Sequence, residues 1–137
     1  MNIKRKVLIT GGAGFIGAHV IEHILRNSDW EIVTLDRLNT SGTYHRLIDI
    51  DCWKTEGDRV KTVIHDLRCN VNEFVAREIG PVDYILHLAA SSHVDRSIND
   101  VSPFIDTNIK GTQVLLDASR KHGVSKFIFI SSDEVYG

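Results

Sequence analysis

Cysteine, proline, long apolar runs and charge bias are all scarce in this chain, and each scarcity closes off a class of protein. Cys52 and Cys69 are the two cysteines among 137 residues and form no Cys-x-x-Cys pair. Two thiols in a domain of this size suit a reducing compartment rather than a disulfide scaffold, so a cytoplasmic setting is expected. No segment is long enough to span a bilayer. The basic start, Met1 to Lys6, is followed by a short apolar stretch that runs straight into glycines, unlike a secretory leader. Lys plus Arg number 16 against 18 Asp plus Glu, without a long run of either sign. Nothing electrostatic therefore points to nucleic acid or a membrane as partner. What remains, 42% hydrophobic and 25% charged, is the make-up of one soluble globular domain, or part of one, able to enclose a sizeable core.

The two prolines fall where helices stop or start. Gly80-Pro81 closes an apolar-periodic stretch from Val71 to Ile79, and Ser102 with Pro103 opens a longer one that runs to His122 before Gly123. Between and around these lie β-rich runs at Lys6 to Thr10, Trp30 to Asp36, Val60 to His65, Tyr84 to Leu88 and Lys126 to Ser131. A further helix follows the first run, on the spacing of Ile16, Val20 and Ile24, and a short one is expected around His45 to Cys52. Strand and helix thus alternate throughout. Val7-Leu8-Ile9 and Phe127 to Ile130 are apolar on both faces, as strands are when helices cover both sides of a parallel sheet. The expected architecture is an α/β, doubly wound parallel sheet of Rossmann type with five strands in the order 3-2-1-4-5. That order leaves the apolar fifth strand at an exposed edge, which invites self-association.

Gly11, Gly14 and Gly17 stand at G-x-x-G-x-x-G spacing, and Gly12, Gly14 and Gly17 also satisfy G-x-G-x-x-G, where the first strand hands over to the first helix. Glycine there permits a tight turn, lets backbone N–H groups approach a pyrophosphate, and allows the helix to pack closely while its N-terminus attracts negative charge. Asp36 closes the second strand roughly 20 residues further on, where a carboxylate can accept hydrogen bonds from the adenosine ribose. A carboxylate would repel a 2′-phosphate. NAD is the expected cofactor, with Arg37 directly behind Asp36 softening the exclusion of NADP. His19 and His23 lie four apart on the same helix, but no third ligand is suggested nearby and they read as surface histidines; no metal is expected.

Thr10-Gly11-Gly12-Ala13-Gly14-Phe15-Ile16-Gly17 resembles the cofactor fingerprint of the extended short-chain dehydrogenase/reductase family, which includes NAD-dependent epimerases and dehydratases. His87 to Ile98 and Ser131-Ser132-Asp133-Glu134-Val135-Tyr136-Gly137 are similar to its dTDP-glucose 4,6-dehydratase branch. The resemblance implies that Phe15 and Ile16 touch the cofactor. It puts Asp36, Arg37 and Asn39 at the adenosine ribose, and Asp66 with Leu67 at the adenine edge. Leu88, Ala89 and Ala90 would line the middle of the cofactor, with Thr107 below. Ser92 and Ser132 match positions that contact the sugar nucleotide or hold the sugar near the nicotinamide. His93 and Arg96 fit substrate or subunit contacts, or packed loop residues. Ser91 stands where these enzymes often carry an acid, and Ser132 where they commonly carry threonine.

A dehydratase of this kind oxidises C4 of the hexose by hydride transfer to NAD, loses water across C5 and C6, and returns the hydride to C6. By resemblance Glu134 is the base for the C5 proton and Asp133 the acid for the departing 6-hydroxyl. Adjacent acids with opposed duties need pKa values driven apart by burial and mutual repulsion. In the family a Tyr-x-x-x-Lys pair follows the fifth strand, and no tyrosine here has a lysine four residues on. The expectation is therefore a cofactor-binding portion, residues 1–137, that stops before the Tyr-x-x-x-Lys helix and the substrate-binding region and is inactive alone. The full-length form is expected to be a homodimer acting on a nucleotide sugar. A related epimerase or decarboxylase and a non-catalytic NAD-binding module are the alternatives.

Overall fold

The structure, a computed structural model, describes residues 4–92 and 98–136, without the side chain of Glu134. His93 and Arg96 lie outside the described residues. Five strands, β1 (Lys6–Thr10), β2 (Glu31–Asp36), β3 (Val60–Ile64), β4 (Tyr84–His87) and β5 (Lys126–Phe129), form one parallel sheet in the order β3-β2-β1-β4-β5. Leu8 of β1 sits between Val33 of β2 and Ile85 of β4. Because side chains alternate along a strand, β1 feeds two separate cores. Val7 and Ile9 pack with Ile32 and with Ile21 and Leu25 of α1 (Phe15–Asn27) and Leu47 of α2 (Tyr44–Ile48). Leu8 packs on the opposite face with Val33 and Ile85, with Val75 and Ile79 of α4 (Glu73–Ile79), and with Leu115 of α6 (Gly111–Lys121). Helices on both faces are the doubly wound arrangement the apolar strands imply.

The connection between β2 and β3 holds two short helices, α2 and α3 (Trp53–Glu56), where the sequence suggests one. Arg59 ties this connection to α1. Its guanidinium donates to the carbonyls of Leu25 (2.6 Å), Ser28 (2.9 Å) and Trp30 (3.0 Å) and pairs with Glu56. The helix expected from Val71 begins at Glu73, because the Asn72 side chain accepts the Val75 N–H at 2.9 Å and caps it there.

The long helix before β5 starts at Ser102 rather than Pro103, with Val101 as its N-cap, and is not uniform. It runs as α5 (Ser102–Phe104), a π-helical stretch (Ile105–Lys110) and α6. β5 lies at the sheet edge, as the strand order implies, and ends at Phe129 rather than Ser131. Only Phe127 is even partly buried in it, since β5 has a neighbour on one side alone and no later described helix covers it.

Candidate functional site

The carboxyl ends of β1 and β4 lie side by side while their connections leave in opposite directions, and this opens a crevice of the kind in which α/β sheets bind ligands. The turn after β1 enters it. Gly11 has φ +72°, and a β-carbon there would lie 2.9 Å from backbone atoms of Ala89. A β-carbon on Gly17 would run into the Gly11 carbonyl, so glycine at both ends of the turn lets α1 seat directly against it. Gly14 is the N-cap of α1 and offers no capping side chain, and the first turn of the helix carries no acid. Its leading N–H groups have no intrahelical acceptor, so the helix presents free donors and the positive end of its dipole. Phe15 and Ile16 beside them are 69% and 61% exposed, an apolar surface next to an anion-binding terminus.

Asp36 is 8% exposed, and its two oxygens accept from Ala13 N–H (3.1 Å) and Leu38 N–H (2.9 Å). Leu38 adopts φ +51° to make the second bond, an uncommon conformation for a residue with a side chain. A carboxylate accepts about four hydrogen bonds, so two positions remain for donors arriving from the crevice. Asn39 turns inward on its own loop, its Oδ1 accepting from Ser41 and Gly42 N–H groups at 2.9 and 3.2 Å. Arg37 is exposed and approaches Asp66 at 3.9 Å. Asp66 is held far more closely by Arg68, whose Nε and Nη2 donate to Asp66 Oδ2 at 2.9 and 2.6 Å. The Arg68 guanidinium keeps the Asp66 carboxyl below the ordinary carboxylate range, and burial opposes it more weakly. Leu67 is buried in the second core, so among its groups it is the backbone that can reach a ligand.

Across the crevice Leu88 and Ala89 are half-buried and Ala90 is exposed. The loop they begin is fixed by Asn108 in the π-helical stretch. Its Oδ1 accepts from Ser91 N–H (2.8 Å) and its Nδ2 donates to the Ser91 carbonyl (2.9 Å). Next to it Thr107 Oγ1 is buried with no hydrogen-bond partner among the described residues. An unpartnered buried hydroxyl, an uncapped helix terminus and a carboxylate with acceptor capacity to spare fit the polar parts of a dinucleotide. The sequence reading missed Asn108, which carries no local signal, and gave no role to His87. The His87 ring lies behind the loop between Thr10 and Thr112.

The NAD-dependent epimerase/dehydratase family model matches residues 7–137. The chain belongs to that family. It is 43% identical to the low-salt glycan biosynthesis protein Agl12 of Haloferax volcanii, over 96% of this chain and 40% of that protein. With a dTDP-glucose 4,6-dehydratase of Escherichia coli it shares 40% identity over 96% of its length and 38% of the enzyme's. Among solved structures, DesIV, a dTDP-glucose 4,6-dehydratase of Streptomyces venezuelae with NAD and TYD bound, superposes with TM-score 0.85 at 40% identity, covering 96% of this chain and 41% of that one. The UDP-Glc/GlcNAc 4-epimerase of Campylobacter jejuni gives 0.84 at 33% identity, covering 97% and 39%. The chain spans about two-fifths of the length of these relatives. It corresponds to the amino-terminal, NAD-binding part of the family's dehydratases.

In this family member, the residues after β5 reach the same rim. Asp133–Tyr136 forms a single 3-10 turn just past the carboxyl end of β5, beside the loop after β4. Ser132 and Asp133 are exposed, as is Ser92 in the loop after β4. The enclosure that would drive an acid pair apart is not supplied by the described residues. The Glu134 side chain lies outside them.

Proposed function

We propose that this chain holds NAD and forms the cofactor-binding portion of a nucleotide-sugar 4,6-dehydratase that converts dTDP-glucose to dTDP-4-keto-6-deoxyglucose. The observation that carries the reading is the placement of Ser132-Asp133-Glu134 just past the carboxyl end of β5, two strands from the glycine turn. A dinucleotide laid over α1 with its pyrophosphate on the uncapped N-terminus runs from Asp36 on one side to the β4 and β5 loops on the other. Gly11, Gly14, Phe15, Ile16 and Gly17 hold its centre, Asp36, Arg37 and Asn39 its ribose, and Asp66 with Leu67 its adenine. Leu88, Ala89 and Ala90 line the middle of the cofactor, with Thr107 below. Bound NAD supplies a hydride acceptor that is restored within each turnover.

Glu134 takes the C5 proton, acidified by the C4 ketone, while Asp133 protonates the leaving 6-hydroxyl. The C5–H and C6–O bonds break and water departs. Ser132 and Ser92 hold the sugar nucleotide. No tyrosine of this chain has a lysine four residues on, so the activity is that of a protein in which these residues work together with such a pair. In the full-length form a second copy pairs through an exposed apolar stripe, for which Ile98, Val101, Ile105, Ile109 and Leu116 recur at three-, four- and seven-residue spacing. The free thiols Cys52 and Cys69 suit the reducing cytoplasm.

Calorimetric titration with NAD and NADP tests the cofactor reading. NAD binds, NADP binds far more weakly because a 2′-phosphate meets the Asp36 carboxylate, and Asp36→Ala loses the NAD affinity. A folded, monodisperse sample that takes up neither dinucleotide overturns it. For the reaction, the product formed from dTDP-glucose by the protein carrying the Tyr-Lys pair lacks the 6-hydroxyl. A product that keeps it makes the protein an epimerase or decarboxylase instead.

A further inference from the structure

We propose that His87 is a positioning residue which, as a neutral imidazole carrying its proton on Nε2, holds both ends of the Ala89 to Ser91 loop in place for the dinucleotide. The inference rests on the NAD reading above. It comes from counting hydrogens through one buried chain of groups. The Thr112 hydroxyl has a single hydrogen, and it donates to the Asn108 carbonyl at 2.6 Å. Toward His87 Nε2, 2.9 Å away, Thr112 can then only accept, so Nε2 carries the proton. Nδ1 is left bare and accepts from the Thr10 hydroxyl at 2.6 Å. The Thr10 oxygen in turn accepts the Ala89 N–H at 3.2 Å.

The two ends of this relay meet on one loop. From Nδ1 it passes through Thr10 to Ala89, and from Nε2 through Thr112 to the backbone of Asn108, whose side chain grips Ser91. The opposite tautomer forfeits the bond from Thr112 to Asn108, since the Thr112 hydrogen would have to turn toward Nε2. Protonation of the ring puts a donor at Nδ1, so the Thr10 hydroxyl loses the acceptor that orients it. The surroundings keep the ring neutral. β1 offers it Thr10, α6 offers Thr112, and β5 offers the rings of Phe127 and Phe129 at 6.1 and 5.4 Å. None of these ionises, and His87 is 1% exposed.

The decisive experiment combines nitrogen-15 NMR of the imidazole, amide hydrogen exchange and NAD titration on the full chain and its variants. The wild type shows the Nε2–H tautomer. His87→Phe, which keeps ring bulk against Phe127 and Phe129, speeds exchange at Ala89 and Ser91 selectively and weakens NAD binding about tenfold. Thr112→Val cuts only one arm and loosens Ser91 more than Ala89. His87→Gln, whose amide can still donate toward Thr112, recovers protection at Ser91. An Nδ1–H tautomer, a uniform rise in exchange, or unchanged NAD affinity in His87→Phe each overturns the inference while leaving the cofactor reading intact. Should the wild type bind no NAD, the cofactor reading falls, and selective loosening at Ala89 and Ser91 still upholds the positioning role. If His87→Phe does not fold, the Ser91 response in Thr112→Val and the retained Ser91 protection in His87→Gln decide.

Discussion

Gly11 and Ala89 meet across the switch point of the sheet, so closely that a β-carbon on Gly11 would sit 2.9 Å from the Ala89 Cα and nitrogen. The contact joins the turn after β1 to the loop after β4, and the positive φ of Gly11 directs the turn into it. Gly11→Ala meets a left-handed backbone and a backbone clash at once, and backbone cannot move aside as a flexible side chain can. A loss of roughly 2 to 4 kcal/mol in stability is expected. Urea unfolding measures it: the midpoint falls with an unchanged slope. A midpoint equal to the wild type's would mean that the turn and the loop are not packed together in solution.

Much of this arrangement is written locally in the chain. The glycine spacing, the strand-end Asp36 and the strand order all come from patterns a few residues long or from the alternation of strand and helix, and these are what short-range sterics and burial control. Features that depend on meeting a distant partner are not legible in the same way. Asn108 looks like an ordinary helical residue until Ser91, 17 residues earlier, is seen against it. The π-helical stretch around it is equally hidden, because its residues have the apolar period of a plain helix. The engagement of Asp66 by Arg68, only two residues away, depends on a backbone turn that composition does not announce. The edge position of β5 follows from the strand order, but the exposure of its faces does not follow from its composition. Its apolar residues imply cover on both faces, but cover belongs to whatever packs there, not to the strand itself.

Arg59 ties three parts of the chain together outside the candidate site. Three carbonyls, from Leu25, Ser28 and Trp30, share its guanidinium, and its side chain is 17% exposed. Removing it leaves the end of α1 and the entry to β2 without donors. Arg59→Ala is expected to cost about 2 to 3 kcal/mol. Arg59→Lys keeps the charge but cannot reproduce the fork, and recovers less than half of that. Thermal melting of the two variants is the check. A lysine variant as stable as the wild type would show that charge, and not the fan of donors, holds this corner.

The open edge of the sheet and the helical stripe make competing predictions for association. Ile128 and Phe129 are exposed along β5 and Ile130 just beyond it, and Ile105 and Ile109 on the helix. Ile105→Glu with Ile109→Glu is expected to convert dimers to monomers in light scattering at micromolar concentration. Ile128→Lys is expected to leave the dimer and suppress only larger, slowly forming species, as charge on an edge strand does. The reverse pattern would place the dimer contact on the strand edge.

The stability of the chain should fall in two separable stages as the medium is acidified. Burial lowers the His87 pKa from 6.5 to about 4. The unfolded chain therefore takes up a proton at this residue near pH 6.5, while the folded chain does not until about pH 4. Below 6.5 the unfolded state binds more protons, so the contribution of neutral His87, about 3 kcal/mol when complete, is present above pH 6.5 and lost as the pH drops toward 4. Asp66 acts lower on the scale. Arg68 holds its pKa below 3.8, so its contribution is present above that value and is lost as the pH falls through the lowered one. Urea denaturation at a series of pH values, run on wild type beside His87→Phe, separates the stages, because the two proteins differ at this residue alone and what they share cancels in the difference. The variant loses the slope between pH 6.5 and 4 that is due to His87 and keeps the stage below it. Parallel curves for the two proteins across that window would mean that the ring already carries its second proton in the folded chain, and that the directional chain from Thr10 to Thr112 does not exist as drawn.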